Sequence, residues 1–143
     1  MTSTVIYEGD LRTVATHIQS GNKIETDAPT DNKGKGERFS PSDLVATALG
    51  SCMATIMGIK AEDLGLDLSG MKIDIQKIMK ADPRRIGGIK AVFHFPDGLV
   101  TDNKQRTILE RAALTCPVAE SINPEIDLKV EFNWNKQEPA TVS

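Results

Sequence analysis

Apolar and polar positions follow two different rhythms along this chain. Up to about residue 27 they alternate in short runs broken by turn residues. Val5 to Tyr7, Leu11 to Ile18 and Asn22 to Thr26 predict three short strands. Gly9-Asp10 and Ser20-Gly21-Asn22 are the turn signals between them. Residues 28–39 hold two glycines, a proline and no periodicity, the pattern of a surface loop. At Ser40-Pro41-Ser42-Asp43 the rhythm changes. Ser40 suits a helix N-cap, Pro41 the first helical position, and Asp43 the first turn, where an acidic group favours the helix dipole.

The helix that follows pairs apolar residues at Leu44/Val45, Ala48/Leu49, Cys52/Met53 and Ile56/Met57, and no charge occurs from Leu44 to Ile59. Its other positions, Ala46, Thr47, Gly50, Ser51, Ala54, Thr55 and Gly58, are all small. A helix with no charged face is buried all round, and one small domain cannot easily cover every side of it. A second subunit is therefore expected to pack on it, with a helix wrapped by its own sheet as the alternative.

Beyond Gly65, Leu68, Met71, Ile73 and Ile75 lead one strand, and Ile89, Ala91, Phe93 and Phe95 form the apolar face of the next. Asp82-Pro83 and the basic Lys80, Arg84 and Arg85 mark the hairpin tip between them. Asp102 to Leu114 reads as a second helix. Pro117 interrupts it and suits the first turn of another short helix through Ile122. Ile126, Leu128, Val130, Phe132 and Trp134 alternate with polar residues as a last strand, and 135–143 read as a frayed tail. The expected fold class is α+β, mostly antiparallel, in the order βββ-α-ββ-αα-β, with one domain over 1–134.

Composition narrows the function. The 143 residues, 39% hydrophobic and 26% charged, suit a single globular domain. A net charge of −3 argues against a nucleic-acid partner. No stretch has the roughly 18 uninterrupted apolar residues of a membrane span. The first residues lack the basic and apolar regions of a signal peptide, so the cytoplasm is expected. With six aromatic residues, the core must be built mainly from aliphatic side chains and methionine.

Two cysteines in a reducing compartment are more often catalytic, redox-sensing or metal-binding than disulfide-bonded. Cys52 and Cys116 are not at metal-ligand spacing, and His17 and His94 are the only imidazoles, so no metal is expected. Simple burial of two small hydrophobes is the bland alternative. Cys52 lies mid-helix in the apolar stripe. Cys116 lies at a helix break just before Pro117, where the N–H groups of a new helix favour a thiolate. If the helices pack, the thiols come within reach. A thiolate that attacks a peroxide becomes a sulfenic acid, which a second thiol converts to a disulfide.

The segment from Phe39 to Cys52, with Ser40-Pro41-Ser42-Asp43-Leu44 followed by small residues and Gly50-Ser51-Cys52, resembles the pre-cysteine helix of the OsmC/Ohr family, the osmotically inducible and organic-hydroperoxide-resistance proteins. Cys116-Pro117-Val118 matches the family's second signature at the usual separation, and the element order agrees from about Tyr7 to Trp134. The resemblance implies an intertwined homodimer with active sites at the subunit interface. It further implies a thiol peroxidase for organic hydroperoxides, with Cys52 peroxidatic and Cys116 resolving. The reductant would be a dithiol, lipoyl-linked as the family suggests, and no cofactor is implied.

In that family an arginine from the N-terminal strands holds the thiolate, paired with a glutamate near the start of the central helix. Here Ser42 stands at the glutamate position and Asp43 is its neighbour. Arg12 in the second strand and Arg38 before the helix are both candidates for the cation, and Asp43 for the group that orients it. The cation matters because a thiol in an apolar stripe is a weak nucleophile without one. The rival expectation is a non-catalytic protein of the same fold that binds a small apolar ligand or senses redox state through its thiols.

Overall fold

The computed structural model describes residues 1–134; the tail expected at 135–143 lies outside the described residues. The chain divides into two compact units, Met1–Val45 and Ala46–Ser143.

The first unit is a three-stranded antiparallel sheet of β1 (Ser3–Gly9), β2 (Arg12–His17) and β3 (Lys23–Asp27), in that spatial order. Asp10 and Leu11 join β1 to β2 with φ of 54° and 63°, the left-handed backbone of a tight hairpin turn. Thr16 faces Lys23 at the β2–β3 turn, and the register runs back to set Arg12 directly opposite Asp27. Val5, Ile6 and Tyr7 are consecutive and each more than 60% exposed, so both faces of β1 present apolar side chains. The loop after β3 contains one 3₁₀ turn, Thr30–Asn32.

Helix α1 runs from Pro41 to Asp63. Its start is a reciprocal cap: the Asp43 N–H donates to Ser40 Oγ and the Ser40 N–H to an Asp43 carboxylate oxygen, both at 3.0 Å. Asp43 thus fills the place that glutamate or glutamine takes in a capping box. By length and composition α1 could cross a bilayer. Its large buried side chains are instead part of the core of the second unit.

That unit contains a sheet of β4 (Lys72–Lys80), β5 (Arg85–His94) and β6 (Asp127–Asn133) in the order β4-β5-β6. The β4–β5 hairpin is antiparallel, but β6 runs parallel to β5, with Gly88 opposite Asp127 and Phe93 opposite Phe132. With this one parallel pair beside three antiparallel ones, the fold is mostly antiparallel, as expected. The parallel pair arises because α2 (Asn103–Leu114) and α3 (Pro117–Ser121) occupy the connection and bring the chain back to the end where β5 began. The element order is as the periodicity predicts.

Ala46, Leu49, Gly50, Met53, Met57 and Ala61 form the buried side of α1. This seam differs from the expected stripe: Ala46 and Gly50 are inside, whereas Val45 is exposed. The reason is geometric. Pairs repeated every four residues advance about 40° per repeat on a helix of 3.6 residues per turn, so the stripe winds away from the sheet. Gly50 makes the close approach possible, since a Cβ there would lie 2.7 Å from Ile75 Cδ1 and 3.1 Å from Ile75 Cγ1. On the outer side Ser51, Thr55 and Ile59 are open. Fully buried Phe93 stacks on Phe132 with centroids 4.8 Å apart, and Phe95 stacks on Trp134 at 3.8 Å. The Trp134 indole N–H donates to Glu110 at 2.7 Å, which satisfies its polar edge.

Replacing Gly50 with leucine therefore overpacks the α1–β4 contact. Chemical denaturation of Gly50→Leu is expected to show a loss of about 1–3 kcal/mol despite leucine's better helix propensity. Unchanged or raised stability would contradict a helix seated this closely.

Candidate active site

Cys52 sits on α1 one residue before Met53, whose side chain is fully buried, so its own side chain falls at the margin of the seam and is partly exposed. Cys116 is the N-cap residue of α3, with φ −67° and ψ 156°, and Pro117 supplies the preset first turn that follows it. Its side chain has 0% exposure. The sequence places these residues on separate helices; the fold brings the two thiols near enough to affect each other's ionisation, both reduced.

Burial pushes the Cys116 thiol up from its ordinary value. The Ala119 N–H works against that shift, the hydrogen bond and negative charge of Cys52 add to it, and the Val118 N–H again opposes it. The opposing N–H groups are those at the start of α3, so the expected help to a Cys116 thiolate is present but is outweighed by desolvation. Cys116 is consequently a protonated, water-excluded thiol beside an accessible one.

The first unit carries a separate constellation of charges. Arg12 Nε donates to Asp27 Oδ1 at 2.7 Å and Nη2 to Oδ2 at 2.8 Å, a two-point fork across the β2–β3 pair. Nη2 also reaches Glu37 Oε1 at 3.1 Å, and the Glu37 N–H donates to Asp27 Oδ2 at 3.2 Å. The Asp27 side chain is 1% exposed, against 23% for Arg12 and 60% for Glu37. Hydrogen bonding to Arg12 first, helped by its charge, holds the Asp27 carboxyl below its ordinary value despite burial. The same pairing drives Arg12 further up, so the guanidinium stays charged.

Arg38, the other candidate cation, donates from Nε to Glu25 at 2.8 Å and from Nη1 to the Glu37 carbonyl at 3.1 Å. It is an exposed loop residue. Asp43 closes the α1 cap with Ser40. Sequence reasoning missed Asp27 and Glu37. Asp27 was within reach of it, because counting outward from the Ser20-Gly21-Asn22 turn sets Arg12 opposite Asp27. Glu37 returns to Arg12 through an irregular loop and carries no periodic signal. Among the described residues, no group of His, Cys, Asp and Glu could hold a metal ion.

The chemistry-bearing groups of the fold are therefore a pair of unequal thiols in one unit and an arginine fixed by carboxylates in the other. The comparisons give the family. The OsmC profile, described as OsmC-like protein, matches residues 34–131. A solved structure from Psychrobacter arcticus 273-4, described as an osmotic stress induced and detoxification response protein, is 52% identical. The match covers 93% of this chain and 96% of that one with a TM-score of 0.89. The fold is shared by the organic hydroperoxide resistance protein OsmC of Legionella pneumophila (17% identity, 94% and 98% coverage, TM-score 0.73) and OhrB of Bacillus subtilis (19%, 93% and 98%, 0.64). Among curated proteins no match is found. The chain belongs to the OsmC-like family.

The burial contrast predicts an order of labelling. Brief iodoacetamide treatment of the folded, reduced protein should give one adduct, at Cys52, and a second at Cys116 only in denaturant. Peptide mass mapping checks it; equal labelling of both thiols under native conditions would contradict the sealed position of Cys116.

Proposed function

We propose that the protein is a two-cysteine peroxidase for organic hydroperoxides, acting in the cytoplasm as a homodimer. The observation that supports it best is the interacting pair of one partly exposed and one fully buried thiol. Cys52 attacks: its thiolate forms a bond to the terminal peroxide oxygen, the O–O bond breaks, and the alkoxide leaves and takes up a proton as the alcohol. Cys52 is now a sulfenic acid. Cys116 then attacks the Cys52 sulfur, the S–O bond breaks, and the hydroxyl leaves as water with the proton Cys116 gives up. Two thiols are oxidised by two electrons in total and one peroxide is reduced to alcohol and water. A dithiol, of lipoyl type by the family resemblance, restores the pair by thiol–disulfide exchange.

The raised position of the Cys116 thiol supports this division of roles. It leaves Cys116 protonated, able to donate its S–H toward the Cys52 thiolate, until the sulfenic acid needs it. Ile56, partly exposed one turn along α1 from Cys52, supports an apolar peroxide over a small hydrated one. Arg12 is the cation we assign to the Cys52 thiolate, on the family pattern of a strand arginine, because a carboxylate fork fixes its geometry. Support for the homodimer comes from the uncovered apolar side chains of β1 and the uncharged outer side of α1. One observation favours a sensor or ligand-binding role instead: two carboxylates already compensate Arg12.

One equivalent of cumene hydroperoxide followed by intact-mass analysis separates the readings. Wild type should lose two hydrogens within seconds, Cys116→Ser should gain one oxygen, and Cys52→Ser should do neither. If all three remain reduced for minutes, the protein is not a peroxidase.

A further inference from the structure

We propose that the tip of the β4–β5 hairpin forms a binding site for a small phosphate-bearing ligand, in a cleft that includes neither thiol. Lys80 and Arg85 stand directly opposite each other across the antiparallel pair. Like charges so placed repel, and among the described residues neither makes an ion pair. Both line one cleft of about 210 Å³, between the hairpin and the segment that leads into β6. An anion held between them would relieve the repulsion.

Each cation is held in place by a feature of its own. Ile78 pairs with Gly88 and Met79 with Ile86, which makes Gly87 the extra residue of a β-bulge. A Cβ there would lie 2.3 Å from Lys80 Cγ and 2.7 Å from Cδ, so the lysine stem lies across this glycine. Arg85 Nη1 donates to the carbonyls of Pro83 at 2.8 Å and Ala81 at 3.1 Å. These bonds anchor the guanidinium to the turn and leave Nε and Nη2 without a protein partner among the described residues.

Asn123 and Glu125 line the same cleft. Asn123 Oδ1 accepts the Glu125 N–H at 2.9 Å, which leaves the Nδ2 donors for a ligand. The Glu125 carboxylate makes no ion pair among the described residues and is the one anionic acceptor in the lining. Two fixed positive charges match a phosphomonoester, which carries close to two negative charges at neutral pH. The carboxylate beside them matches a hydroxyl on the same molecule. At about 210 Å³ the cleft is smaller than the pockets that take drug-sized ligands, which suits a phosphate ester of a few carbons.

Amide NMR of the full chain, titrated with inorganic phosphate and with glycerol phosphate, tests this. The amides of Lys80, Arg85, Gly87, Asn123 and Glu125 should shift together and saturably with both, at lower concentration for the ester. Lys80→Met and Arg85→Met should each weaken binding about tenfold, the loss of a charge-assisted hydrogen bond. Gly87→Ala keeps every charge but displaces the Lys80 stem, and should weaken binding about as much as Lys80→Met. Lys72→Ala removes an equal charge from the far end of β4 and should bind as wild type does. Glu125→Ala should bind inorganic phosphate at least as well as wild type and lose the preference for the ester.

No saturable shift with either phosphate overturns the proposal. So does an equal loss in Lys72→Ala, which marks a response to net charge alone, or wild-type binding by Gly87→Ala. An ester preference that survives in Glu125→Ala overturns the hydroxyl-bearing class. Should Gly87→Ala fail to melt as a folded protein by circular dichroism, Arg85→Lys takes its place, because it keeps the charge and loses the anchored guanidinium. Weakened binding then supports the site and unchanged binding overturns it. Vesicles containing phosphatidic acid separate the two sources of phosphate: a response to them without one to the free ester overturns the small-ligand assignment.

Discussion

The second unit depends on how closely α1 lies against its sheet. The end of the Ile75 side chain occupies the space a Cβ at position 50 would need, so glycine there is what lets Ile75 lie against the helix as it does. The approach has three consequences. It turns Ala46, Leu49, Met53 and Met57 into core residues. It sets Cys52, beside Met53, at the edge of the buried seam instead of inside it. And it brings that edge to the break between α2 and α3, where Cys116 is fully enclosed. A glycine inside a helix carries a cost of about 1 kcal/mol in propensity, offset here by the packing it permits.

From that placement comes the inequality between the thiols. They interact and differ in water access, and burial keeps the proton on Cys116. Two identical, equally exposed cysteines would compete for an oxidant and for each other. On the proposed reading, an accessible thiol backed by a sealed one sets an order of events: oxidant first at Cys52, disulfide second. The same enclosure shields Cys116 from the overoxidation that an exposed thiolate risks.

Much of this was legible in the sequence, for physical reasons. Period-2 alternation from Ile126 to Trp134 and the Ser40-Pro41-Ser42-Asp43 start are strong local signals, and β6 and the α1 cap appear where they predict. Cys116-Pro117-Val118 located the N-cap of α3 because proline's missing N–H and fixed φ suit a helix start. The parallel pairing of β5 with β6 was not legible, because neighbours in a sheet are a property of the chain's path. Nor was the seam of α1: Gly50 reads as part of the small-residue face expected to meet a second subunit until Ile75 is seen against it. In the first unit the candidate cation Arg12 was visible, but Asp27 required hairpin register and Glu37 required the path of an irregular loop.

The central claim is that this pair of thiols turns over peroxide. Its most direct test is steady-state consumption of cumene hydroperoxide by the wild-type protein with dihydrolipoamide as reductant, set beside hydrogen peroxide at the same concentrations. The account predicts many turnovers per protomer, saturation with the organic peroxide and a lower kcat/KM for hydrogen peroxide. Consumption no faster than dihydrolipoamide alone achieves, at any peroxide concentration, would contradict it.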